Sequence, residues 1–182
     1  MDDLNEDARP LLYTIGHSNL SGDEFVGALL AYDIRGLVDV RSTPYSQYCP
    51  QFNRENLDRT LREHGITYRF AGDLLGGRPT DPTCYKDGNL PDRHANFLEL
   101  VDYDEVARRP WFKKGVARLL DLARREPTAI MCSEEDPKQC HRYHLITQAI
   151  LDDVRVLDIR TGGGGGLRHS EATRIPRQAM LI

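Results

Sequence analysis

Five short runs of apolar, β-favouring residues alternate along this chain with segments whose apolar residues recur three or four positions apart. The runs are Leu11–Ile15, Leu37–Val40, Ile66–Phe70, Thr128–Cys132 and Arg155–Ile159. Strands that alternate with helices restrict the fold to a layered α/β domain, because each strand needs a helix to return the chain to the same edge of a parallel sheet. The helical segments carry clear signals. Ser21 is an N-cap with Glu24 three residues on, a capping-box spacing, and Phe25, Ala28, Leu29 and Tyr32 follow at helical period. Asn53 opens a second helix that holds Leu57 and Leu61 and stops near Gly65. A short helix is expected over Phe97–Val106, a longer one over Trp111–Arg125 and a last one over Cys140–Asp152. The expectation is one α/β domain, a single layered unit with a mostly parallel central sheet flanked by helices, over residues 11–160.

The ends of the chain read differently. Residues 1–10 are acidic and polar, a disordered tail rather than a signal peptide. Residues 161–182 read as a linker of five glycines, Gly162–Gly166, followed by a basic C-terminal tail with Arg168, Arg174 and Arg177. A chain of 182 residues suits one domain, and 40% apolar residues suffice for a core. No apolar run approaches the length of a membrane span, so no membrane partner is expected. Four scattered cysteines make no disulfide framework, which favours a reduced, cytoplasmic chain. Net charge −4 argues against nucleic-acid binding by bulk charge, though not against a local basic site. The basic residues are 20 Arg and only 4 Lys, and the arginine fork suits phosphate and carboxylate.

Three polar clusters directly follow expected strands: Gly16-His17-Ser18-Asn19, Arg41-Ser42-Thr43-Pro44 and Cys132-Ser133-Glu134. In a parallel sheet all three meet at the carboxyl edge, where such folds bind ligands. Cys132 leads through an acidic loop to Cys140-His141-Arg142 at an expected helix start. There, free N–H groups and the helix dipole lower a thiol's pKa and attract anions. Cys132, Cys140, His141, His17 and Glu134 are therefore the catalytic candidates, as nucleophile and acid–base groups. Arg41, Ser42, Ser46, Asp39 and Arg142 are ligand-binding candidates, Asp39 because a lone carboxylate in an apolar strand needs a partner. Gly76 and Gly77 join them from the long aperiodic stretch 72–96, a length of loop that is usually functional. Tyr85, Arg93 and His94 in that loop are placed to close over a ligand. Cys140 and His144 lie four apart on one helical face, with Cys132 or His17 as further ligands. The spacing matches no common zinc pattern, so no metal is assigned.

These motifs together resemble an uncharacterised family, domain-of-unknown-function family 488. The resemblance is carried by Thr14-Ile15-Gly16-His17-Ser18, Asp39-Val40-Arg41-Ser42 with Pro44 and Ser46, Leu75-Gly76-Gly77, and Cys132, Glu134 and Cys140-His141-Arg142 in that order. Asp158-Ile159 departs from the family, which often has a histidine there. The resemblance implies a compact α/β domain whose polar motifs gather in one pocket, and it supplies no activity or cofactor. The residues themselves favour an enzyme that holds an anionic, phosphate-bearing ligand, a nucleotide or nucleic acid, in a Cys/His/Arg pocket. Two alternatives stay open: a rhodanese-like or phosphatase-like thiol enzyme, and a non-enzymatic nucleic-acid-binding or regulatory module that uses the basic tail.

Overall fold

Strand order in the sheet is β3-β2-β4-β1-β5-β6, which sets the loops after β1, β2 and β4 side by side. The structure, a computed structural model, describes residues 7–161 and 166–176. Most of the expected 1–10 tail, four of the five glycines and residues 177–182 lie outside the described residues. In chain order the strands are β1 (Leu11–Gly16), β2 (Gly36–Asp39), β3 (Thr67–Phe70), β4 (Thr128–Cys132), β5 (Arg155–Thr161) and β6 (Leu167–Glu171). The first five are parallel, and β6 pairs antiparallel with β5. The helices are α1 (Gly22–Ala31), α2 (Arg54–Glu63), α3 (Gly72–Leu75), α4 (Phe97–Leu100), α5 (Tyr103–Arg108), α6 (Pro110–Arg125) and α7 (Gln148–Ile150). The expected α/β layering and mostly parallel sheet are what the chain forms. Among the described residues no helix is long and apolar enough to cross a membrane.

Side-chain alternation along the strands builds two cores. Ile15, Leu37, Ala129 and Met131 face α1 and α2, where they bury Phe25 and Leu57. Leu12, Val38, Ile130 and Cys132 face the other way, toward α6 and the helix after β4. The same parity decides the chemistry, because it puts Asp39 on the face of Leu37 and Cys132 on the face of Ile130.

Ser21 makes the expected capping box with Glu24. Four expectations are corrected. Asn53 occupies the N-cap of α2, but its side-chain oxygen accepts from Ser46 N at 2.7 Å instead of capping the helix. The single helix expected over Phe97–Val106 is two, because Asp102 accepts from Glu105 N and starts α5 afresh. The helix expected from Cys140 is π-wound over Arg142–Thr147 and α-helical only over Gln148–Ile150. The segment read as linker and basic tail holds β6. There, backbone pairing with β5 and the ion pair of Arg155 with Glu171 fix residues whose side chains are all exposed. A strand without buried side chains leaves no apolar pattern to read.

Candidate functional site

The three strand-end clusters do meet at one edge. His17 N donates to Cys132 O at 3.0 Å and Val40 N to Met131 O at 3.1 Å, which extends the β1–β4 and β2–β4 pairing past the strands. Gly16 is required by this approach: a Cβ there would lie 1.7 Å from the Glu134 carbonyl oxygen. Side-chain parity nevertheless divides the residues into two groups, one on each face of the sheet.

On the α1–α2 face, Asp39 and Arg41 form a buried two-point pair, with Nε to Oδ1 at 2.9 Å and Nη2 to Oδ2 at 2.6 Å. Tyr68 donates to Asp39 Oδ2 at 2.8 Å, and Arg41 Nη2 also reaches Phe52 O at 2.8 Å. Arg41 is thus the partner that Asp39 required. His17 stacks on Phe52, donates from Nδ1 to Ser18 O at 2.8 Å and accepts at Nε2 from Arg41 Nη1 at 3.3 Å. Burial, with Arg41 beside it, pushes the His17 pKa down to about 4. The ring is neutral at pH 7 and both nitrogens are engaged.

On the other face, His141 is buried. Its Nε2 donates to Val40 O at 3.1 Å, which leaves Nδ1 facing two thiols: Cys132 Sγ at 3.8 Å and Cys140 Sγ at 3.7 Å. Gly77 packs against this ring so closely that a Cβ would meet His141 Cγ at 2.6 Å. Gly76 packs in the same way on Ser42, whose Oγ accepts from Arg78 N at 3.0 Å. The Glu134 side chain is exposed, and both thiols act on its carboxyl group. Despite some desolvation, its own backbone N–H and those thiols hold its pKa below the ordinary value, so it is a carboxylate at pH 7. The helix start was expected to lower the pKa of Cys140, and the opposite holds. The helix begins beyond it, its own N–H bonds to Pro137 O, and burial raises the thiol well above its ordinary value.

Arg142 is fully buried and holds the loop rather than an open anion site. Its Nη1 donates to Glu134 O at 2.6 Å, Nη2 to Glu135 O at 3.0 Å and Nε to Thr14 Oγ1 at 3.3 Å. Thr14 in turn donates to Asp158 Oδ1 at 2.6 Å, which places the position that departs from the family pattern in this support network. Within the turn, Lys138 N bonds to Asp136 Oδ1, Gln139 N to Asp136 O and Cys140 N to Pro137 O. Glu135 and Asp136 pair with Arg160, which offsets part of the acidic charge beside the thiols.

Other candidates lie away from the thiols. Ser46 Oγ accepts from Tyr48 N and Cys49 N and so orders its own turn. His144 bonds to Lys138 O and stacks on Tyr103, so it does not join Cys140. Tyr85 is buried and donates to Pro79 O, while Arg93 and His94 are exposed and bond to each other. The sequence left two participants unseen, the Val40 carbonyl and the Phe52 ring, which only the return of distant loops brings in; the exposed Arg78 belongs to the run Leu74-Leu75-Gly76-Gly77-Arg78-Pro79.

Fold and site together define a three-layer α/β protein with a buried dithiol–imidazole cluster at the carboxyl edge of its sheet. The chain belongs to the family described as Domain of unknown function DUF488, which matches residues 21–149 and thus leaves the Gly16-His17 strand end outside the match. No curated protein and no solved structure matches it.

Proposed function

We propose that this chain is an enzyme whose catalytic centre is the cluster of Cys132, Cys140, His141 and Glu134. Its substrate is an anionic, phosphate-bearing ligand, a nucleotide or a nucleic-acid end. One observation carries the reading: a buried imidazole, fixed at Nε2 by the Val40 carbonyl, directs its second nitrogen at two thiols 3.8 and 3.7 Å away. An orienting acceptor on one imidazole nitrogen and a reactive group on the other is the arrangement that thiol and metal chemistry both require. Glu134, a carboxylate at the open side, is the acid–base group. Arg41 and Arg142 are engaged with Asp39 and with backbone carbonyls, so they position the site, and the contact with an anion falls to the exposed Arg78 and to Ser42. Four free cysteines fit a reducing, cytoplasmic setting.

The test is a thermal-shift screen of inorganic phosphate, mononucleotides and short single-stranded DNA and RNA, run on the native chain and on Arg78→Ala. A ligand at about a hundred times its Kd stabilises by about 2.7 kcal/mol, a rise of roughly 5–10 °C for a chain of this size. At least one ligand class raises the melting temperature of the native chain, and Arg78→Ala loses most of that rise. No shift with any of these ligands overturns the reading. A shift that survives Cys132→Ser and Arg78→Ala but is lost on truncation after Gly166 replaces it with a binding module that uses the C-terminal segment.

A further inference from the structure

We infer that Cys132 Sγ, Cys140 Sγ and His141 Nδ1 are the ligands of a divalent transition-metal site, with zinc the best match and one coordination position left over. The inference deepens the proposed centre, and it does not depend on which substrate that centre takes. The three donor atoms lie within 4.8 Å of one another and all three residues are buried. Tetrahedral zinc holds sulfur at about 2.3 Å and nitrogen at about 2.0–2.1 Å, which fixes the sulfur–nitrogen edge near 3.6 Å. The two sulfur–nitrogen edges here are 3.8 and 3.7 Å, close to that value, and the two sulfurs lie within 4.8 Å of each other.

The surroundings agree with the donors. His141 donates its other nitrogen to a backbone carbonyl, as metal-bound histidines do, which fixes the tautomer that leaves Nδ1 free to ligate. The Arg142 N–H points at Cys140 Sγ from 3.5 Å, a bond of the kind that supports a thiolate ligand. The backbone passes from extended at Cys140 (φ −142°, ψ 145°) to helical at His141 (φ −59°, ψ −23°), and two consecutive side chains thereby serve one point. Cys132 arrives from a strand end nine residues earlier. This explains why no common zinc spacing is present: the ligands come from a strand end and from the far side of a loop braced by Arg142.

Binding releases a proton from each thiol, so one Zn²⁺ and two thiols give one Zn–dithiolate and two H⁺. Three protein ligands leave a fourth position, as catalytic zinc sites do.

The test uses the full chain. Metal content is measured by elemental analysis after purification without chelator. The chain stripped with dipicolinate is then titrated with Co²⁺ and Zn²⁺. About one metal ion per chain, a sulfur-to-cobalt charge-transfer band and release of about two protons are expected. Zn²⁺ should protect Cys132 and Cys140 from alkylation at least tenfold while the half-buried Cys49 keeps its rate. His141→Ala and Cys140→Ser lose at least tenfold in affinity, and Cys84→Ser does not. The protection experiment on the native chain needs no variant to fold. If metal is absent, no cobalt band forms and alkylation is indifferent to zinc, the metal assignment is overturned, and a ligand shift that depends on Arg78 then leaves the centre standing as thiol–imidazole. Stoichiometric metal with no ligand shift upholds the site as structural and removes the proposed function instead.

Discussion

Asp39 and Arg41 are two residues apart, fully or almost fully buried and paired through two hydrogen bonds. Removing one partner of such a pair strands the other charge, which costs about 3–5 kcal/mol. Asp39→Asn is expected to lower unfolding free energy by that amount in urea titration, and adding Arg41→Met is expected to recover part of it, because the stranded charge is then gone. Equal losses from the single and double variants would show that the ion pair is not what the site depends on. His17 gives a pH signature. Its folded pKa of about 4 lies below the ordinary histidine value near 6.5. Between those values the unfolded chain binds a proton that the folded chain refuses. The His17 contribution therefore falls as pH falls through that window, with a slope approaching about 1.4 kcal/mol per pH unit, and is flat above and below it. Urea midpoints across the window should show a shallower pH slope for His17→Asn than for the native chain.

At the scale of elements, the strands and long helices were legible and the joints were not. β4 and α6 announce themselves through five consecutive buried residues and a regular apolar stripe. The convergence of the loops after β1, β2 and β4 follows from a parallel sheet alone. Three things were not legible for physical reasons. The π-wound segment keeps Leu145 and Ile146 buried, so its apolar residues look α-helical. The exposed β6 has no apolar alternation. The assignment of Asp39 and Cys132 to opposite faces depends on strand register, which motif spacing does not carry, so one expected recess became two groups. Gly76 and Gly77 are the glycines the sequence offers for ligand contact, and Gly16 has a tighter duty. Its missing Cβ admits the Glu134 carbonyl, which is backbone and cannot swing aside. Gly16→Ala is expected to destabilise by about 1–3 kcal/mol or more and to displace the loop that joins Cys132 to Cys140. Gly27→Ala on α1, where an added Cβ meets nothing, is the matched control and should be neutral or slightly stabilising in the same denaturation measurement. Equal effects at the two positions would separate the loop from Gly16.

Over the whole molecule, the edge beyond β5 and the thiol cluster are joined through the helix that follows β4. β6 covers the open side of β5, and the segment after it turns back onto that helix. Ala172 N bonds to Val156 O, Tyr143 Oη donates to Thr173 O at 3.1 Å, and Ile175 N donates to Gln148 Oε1 at 2.9 Å. Arg174, assigned by its sequence position to a free basic tail, pairs with Asp152 at 2.6 Å. The ion pair itself is exposed and worth little, so the bracing comes from backbone pairing and from the buried Ala172. Two consequences follow for a chain truncated after Gly166. The backbone groups of β5 lose their partners and present an unpaired strand edge, which favours association. The π-wound segment loses its outer contacts, and Arg142, which links that segment to the Glu134 and Glu135 carbonyls, opens more often. Truncation is therefore expected to give concentration-dependent oligomers by light scattering. It should also give at least tenfold faster hydrogen exchange over residues 142–147, with slower change in α1 and α2 on the far face. A monomeric truncated chain with unchanged exchange in that segment would make the C-terminal strand an appendage rather than a brace for the cluster.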